Sequence, residues 1–172
     1  MYSVNDLIVY GSSGVCRVAS IDAPADIPGA DGTRLYYTLR PMFDNGTIRI
    51  PVDTRVFMRP VITRAEAENL ISQIPELETA SEVNSNSPQL LSDHYKSFFA
   101  SHDCGDLLTL IKTVYTKSQR SASRGKALGR TDQHYFQRAR ELVEQEFSVA
   151  LDIPVPQVSE YIAQKVKASA VS

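Results

Sequence analysis

Hydrophobic and polar positions alternate through the first sixty residues of the chain. Leu35, Tyr37 and Leu39 fall on one side of an extended strand and Tyr36, Thr38 and Arg40 on the other, because successive strand side chains point to opposite faces. Ile48 and Ile50 point inward by the same rule, and Thr47 and Arg49 outward. Asp44-Asn45-Gly46 lies between the two runs and tolerates the positive φ of a tight turn, so 35–51 is predicted to be one hairpin. Upstream, Leu7-Ile8-Val9-Tyr10 meets the turn Gly11-Ser12-Ser13-Gly14 and a second alternating run. Short strands punctuated by Gly, Asn and Pro predict a small curled antiparallel barrel.

After Arg59-Pro60 the period becomes helical. Thr63-Arg64-Ala65-Glu66 reads as a capping box, with a helix over about 64–74 that Pro75 stops. Residues 76–86 are polar, acidic and rich in Ser and Asn, the composition of a connector. Ser87 before Pro88 then caps a helix with Leu91, Tyr95 and Phe98 in one stripe. A second helix starts near Asp103 and Asp106 and carries Leu107, Leu110, Ile111 and Val114 on one face. Beyond a polar, basic stretch over about 119–130, Thr131 is expected to cap a helix with Tyr135, Ala139, Leu142, Val143, Phe147 and Ala150 inward. A last helix is expected from Pro156, using Val158, Ile162 and Val166. Such helices with short connections make a compact bundle.

Composition narrows the classes. The 172 residues are 42% hydrophobic and 22% charged, enough for two small cores. No apolar run approaches the twenty or so residues of a membrane helix, and residues 1–6 lack the basic and apolar segments of a signal peptide, so a cytoplasmic protein is expected. Cys16 and Cys104 have no spacing that suggests a disulfide and read as idle thiols. Cys16, Cys104, His94, His102 and His134 offer neither a CxxC pair nor four zinc ligands, and a Cys-His catalyst would lack its orienting partner. Gly11-Ser12-Ser13-Gly14 lacks the Lys-Ser/Thr of a phosphate-binding loop. No catalytic, metal or cofactor site is expected.

The order "NDLIVY", a Gly turn, "GVCRV", "YYTLR" and "GTIRIPVD" resembles the polymerase-interacting domain of the CarD/CdnL transcription regulators, a module related to one in the transcription-repair coupling factor. "CGDLLTLIKTVYTKSQ" and "FQRARELVEQEFSVAL" resemble the family's helical DNA-binding domain. The resemblance implies an α+β protein: a small antiparallel SH3/Tudor-like β-barrel over 1–60, a helix and polar connector over 61–86, and an α-helical DNA-binding domain over 87–172. It further implies that Arg49 contacts the RNA polymerase β subunit from an exposed edge, by pairing with a partner's strand. Thr47 and Ile48 would add to that surface, flanked by Tyr36 and Arg40. Gly11 and Ser13 stand where relatives carry proline and histidine.

Charge supplies the second surface. Over 112–140, Lys112, Lys117, Arg120, Arg124, Lys126, Arg130, Arg138 and Arg140 stand against Asp132 alone, which leaves +7. Over 61–85, Arg64 stands against Glu66, Glu68, Glu76, Glu78 and Glu82, which leaves −4. A basic helix-loop-helix of this kind neutralises phosphates and favours nucleic acid without reading its sequence. The basic members of the DNA-binding set are therefore Lys117, Arg120, Arg124, Lys126 and Arg130, to which the resemblance adds Tyr115. Relatives place a tryptophan at the position of Tyr115, which the resemblance implies is a wedge in the minor groove at the upstream edge of the promoter bubble. This chain has no tryptophan, and Thr116 occupies the first of the basic places after it, so a weaker wedge is expected. The whole reads as a non-catalytic factor, monomeric or exchanging strands between barrels, that binds the polymerase β subunit and promoter DNA. A protein-only adaptor is the alternative, and a small hydrolase using Cys104 or His134 the third reading.

Overall fold

The computed structural model describes residues 1–23, 32–80 and 87–171, with the side chains of 170 and 171 left aside. The part of the acidic connector over 81–86, with Glu82, lies outside the described residues. The chain divides into two units, Met1–Ile62 and Thr63–Ser172.

The first unit is one antiparallel sheet of five strands: β1 (Leu7–Tyr10), β2 (Gly14–Asp22), β3 (Tyr36–Pro41), β4 (Ile48–Pro51) and β5 (Met58–Pro60), in the order β4-β3-β2-β1-β5. The β3–β4 hairpin forms as the alternation requires, with Tyr37 opposite Ile50 and Thr38 opposite Arg49. Ile8, Cys16, Val18, Tyr37 and Leu39 make the core on one face, with Ile48 and Ile50 packed against it. The Tyr37 hydroxyl accepts a hydrogen bond from the Tyr2 amide at 2.9 Å, tying the N-terminus over that core. Leu35 departs from the pattern. It precedes β3, where the core ends, and its side chain is exposed. Among the described residues no ladder joins β4 to β5, so strand pairing does not close the sheet into a barrel. The first turn follows its glycines: Gly11 has φ +46°, which proline, fixed near −65°, does not adopt. That turn therefore differs from a proline-bearing one.

Burial shapes the chemistry of Cys16, whose thiol is pushed up to about 11 by its apolar surroundings. The fold favours the neutral thiol, so its share of stability is complete below the unfolded value near 9 and is lost as pH rises through about 11. We expect a loss of about 2–3 kcal/mol across that window. Urea unfolding at a series of pH values checks this, because Cys16→Ala should lack that component of the alkaline slope.

The second unit is helical: α1 (Arg64–Gln73), α2 (Pro88–Phe99), α3 (Cys104–Ser123), α4 (Arg130–Leu151) and α5 (Val155–Val171). The Thr63 capping box forms reciprocally, Thr63 Oγ1 accepting from the Glu66 amide at 3.1 Å and Glu66 Oε2 from the Thr63 amide at 2.9 Å. A 3₁₀ turn with Pro75 (Ile74–Glu76) follows α1. α1 is part of the bundle: Ala67 and Ile71 are buried, and Arg64 Nη2 donates to the Leu151 carbonyl at 2.5 Å. Ser87 and Asp103 cap α2 and α3 as their side chains allow. Leu107, Leu110, Val114, Ala139, Val143, Phe147, Leu151 and Val158 fill the core.

α4 begins earlier than the expected cap at Thr131. Gly129 is its N-cap, Arg130 its first residue and Asp132 lies in its first turn. The Asp132 carboxylate is buried, where it accepts from Tyr95 and Lys117. α5 likewise starts one residue before Pro156.

Candidate functional site

Two surfaces carry the side chains singled out from the sequence, one on each unit. On the sheet, Tyr37 and Leu39 turn into the core, so Tyr36, Thr38 and Arg40 face outward, and Arg49 shares that face because it sits opposite Thr38. Ile48 packs on the core and Thr47 precedes the strand, so neither joins the exposed row. β4 is an edge strand. The Val52 amide donates to the Leu35 carbonyl at 3.0 Å, and alternation then turns the main-chain groups of Ile50 and Ile48 toward β3 and those of Arg49 and Pro51 to the other side. Pro51 offers no donor there, so a strand laid along β4 has its main-chain register centred on Arg49.

Register also brings in a residue that the sequence reading passed over. Arg17 of β2 is the direct partner of Arg40, and Arg40 is the diagonal neighbour of Arg49 across the β3–β4 ladder. Arg17, Arg40 and Arg49 are exposed and lie in one row across three strands. Neither Arg17 nor Arg40 has a carboxylate partner among the described residues, whereas Arg34, before the other end of β3, is paired with Asp53 at 2.7 Å. Only strand register could have revealed the row, since twenty-two positions separate Arg17 from Arg40 in the chain.

On the helical unit the charge count separates into two groups. Lys112, Lys117, Arg138 and Arg140 hold partners within the unit. Lys112 Nζ donates to the carbonyls of Ile74, Pro75 and Leu77 at 2.9, 3.2 and 2.7 Å, neutralising the end of α1 and its 3₁₀ turn. Lys117 Nζ lies 3.0 Å from the buried carboxylate of Asp132, its own side chain 29% exposed. Arg138 pairs with Glu141 at 3.6 Å and Arg140 with Glu144 at 3.0 Å, both along α4. The other four, Arg120, Arg124, Lys126 and Arg130, are exposed and gather at the end of α3, the loop after it and the start of α4. The helix end that places them is local: Gly125 takes φ +70°, its amide donates to the Ala122 carbonyl at 3.0 Å and the Lys126 amide to Ser121 at 2.8 Å. This is a glycine-terminated helix stop, inside the stretch that the sequence marks only as polar and basic.

Asp132 also governs Tyr95. Burial first, then the hydrogen bond to Asp132 and its charge, push the Tyr95 phenol up, which keeps it protonated as a donor. The Lys117-Asp132-Tyr95 set thus joins α3, α4 and α2 beneath the basic loop.

Tyr115 is 53% exposed, and its hydroxyl accepts from Gln119 Nε2 at 2.9 Å. Its ring borders an apolar cavity of about 530 Å³ between α3, α4 and α5, lined among others by Ile111, Leu128, Phe136 and Ile162. Arg120 comes five residues later, about 140° around the helix at 3.6 residues per turn, so Tyr115 and Arg120 do not share a face. The structure therefore brings Arg120, Arg124, Lys126 and Arg130 together, leaves Tyr115 on a neighbouring face and holds Lys117 in an ion pair. Elsewhere in the bundle, the Cys104 thiol donates to Glu146 Oε1 at 3.1 Å in the interior. No helix of the described residues is long and apolar enough to cross a membrane.

Comparison with known families assigns the sheet unit. Residues 2–62 match the model of the CarD-like/TRCF RID domain, a span that coincides with the sheet unit 1–62. No curated protein sequence matches the chain.

Proposed function

We propose, from the premise that residues 2–62 are a CarD-like/TRCF RID domain, that this protein is a transcription regulator that engages bacterial RNA polymerase. One observation carries this reading: the domain match covers the whole sheet unit, including the edge strand β4 and Arg49. The contact is with the polymerase β subunit, through a strand laid along β4 against Arg49, with the sheet curled in the manner of an SH3/Tudor-like barrel. The helical unit then meets promoter DNA at the upstream fork of the bubble, held there at high effective concentration by the tether.

Arg120, Arg124, Lys126 and Arg130 supply the phosphate contacts, and Tyr115 offers a flat ring to a base step. Lys117 contributes through the fold rather than through DNA, because its charge is held by Asp132. By binding the melted complex better than the closed one, the protein stabilises the open promoter complex. No step in this action requires a catalytic group or a cofactor.

Open-complex lifetime in the presence of a competitor tests the reading. Wild-type protein should lengthen it, and Arg124→Glu with Lys126→Glu should remove that effect while leaving polymerase binding intact. Binding to free duplex should weaken with salt at a log-log slope of about −0.9 per phosphate neutralised, and the double reversal should flatten the slope by about two contacts. An unchanged lifetime in the double variant points instead to a protein-only adaptor.

A further inference from the structure

The row of arginines on the sheet conflicts with the sheet's own stability. Arg17 and Arg40 face each other directly across the β2–β3 ladder, and like charges so placed repel. Arg49 lies diagonally beyond Arg40, so positive charge runs from the second strand of the sheet out to its edge. Among the described residues no carboxylate answers Arg17 or Arg40. Edge strands do use charge to deter unwanted pairing, but that purpose needs only Arg49. Arg17 and Arg40 lie on β2 and β3, which are paired on both sides.

We propose that Arg17, Arg40 and Arg49 together receive an extended, carboxylate-bearing segment of the protein partner laid along β4, and that Arg17 is a specificity-determining residue kept at the expense of the fold. The inference rests on the polymerase reading and names the chemistry of the surface that the β subunit presents. Main-chain bonding along β4 is centred on Arg49, because Pro51 cannot donate. The partner residue facing Arg49 on the outward side carries an acid, as an opposite-charge cross-strand pair requires. Arg40 and Arg17 stand two and three strand spacings from the partner strand, about 10 and 14 Å, so they meet a second acidic residue where the partner segment turns over the sheet. Exposed charges of this kind act mainly on association rate and partner choice.

The opposing effects on stability and binding give the test. In the full-length protein Arg17→Glu replaces a repulsive pair by an attractive one, so its unfolding midpoint should stay level or rise by about 1–3 °C. The same variant should bind the polymerase β subunit with an association rate about tenfold lower at about 50 mM salt, and the difference should shrink toward unity at about 500 mM. Arg17→Gln should fall between the two in both measurements. If wild type binds and Arg17→Glu binds at the same rate, the acidic-segment inference is overturned while the polymerase reading stands. A fall in the midpoint of Arg17→Glu would also overturn it, by showing that Arg17 serves the sheet. If wild type itself does not bind the β subunit, both fail.

Discussion

Asp132→Ala should destabilise the helical unit by about 3 kcal/mol. The carboxylate is 5% exposed at its side chain, accepts from the Tyr95 hydroxyl and lies 3.0 Å from Lys117 Nζ. Its removal strands two partners. Tyr95 is buried, and a buried hydroxyl without an acceptor costs about 1–3 kcal/mol. Breaking a fully buried ion pair from one side costs about 3–5 kcal/mol. Lys117 is partly exposed and can regain water, which places the sum near the lower end. The first turn of α4 also loses a carboxylate that answers its helix dipole, a smaller contribution.

Asp132→Asn keeps an acceptor for Tyr95 and loses only the charge, so it should cost about half as much. Urea unfolding measures both. The expected result is a lower midpoint at unchanged slope, the signature of altered stability without altered compactness. A change below about 0.5 kcal/mol for Asp132→Ala would mean that the three helices do not depend on this set.

The same residues show where sequence reading reaches and where it stops. Strand alternation placed Tyr37 and Leu39 in the core and Arg49 outside, because a period of two is a local property that burial then enforces. The Thr63-Glu66 box and the Ser87-Pro88 start were legible for the same reason: each satisfies backbone groups within a few residues. Long-range pairing was not. A charge count over 112–140 sees eight cations and one anion, but cannot know that Asp132 is buried against Lys117 from fifteen residues away, or that Lys112 reaches back to the carbonyls of Ile74, Pro75 and Leu77. Arg17 escaped notice because its meaning depends on facing Arg40, which only strand register defines. Leu35 followed the alternation in sequence and still lies outside the core, because its strand begins one residue after it.

Arg49→Glu should weaken binding to RNA polymerase by at least about 30-fold. Arginine is among the residues that dominate interfaces, where truncating one such residue costs about 2 kcal/mol or more. Reversal goes further than truncation, because it sets a carboxylate against the acidic surface inferred for the partner. Arg49 is exposed on β4 opposite Thr38, away from the core cluster, so its substitution leaves Tyr37 and Leu39 packed and the sheet intact. Circular dichroism and unfolding midpoint should therefore match wild type, which separates lost binding from lost fold.

The polymerase tether is decided by the affinity of the full-length protein for the β subunit of a bacterial RNA polymerase, compared with that of Arg49→Glu. Wild type should bind, and the variant should lose at least about 30-fold in affinity with its stability unchanged. Equal affinity in the two proteins, or no binding by either, would contradict the tether.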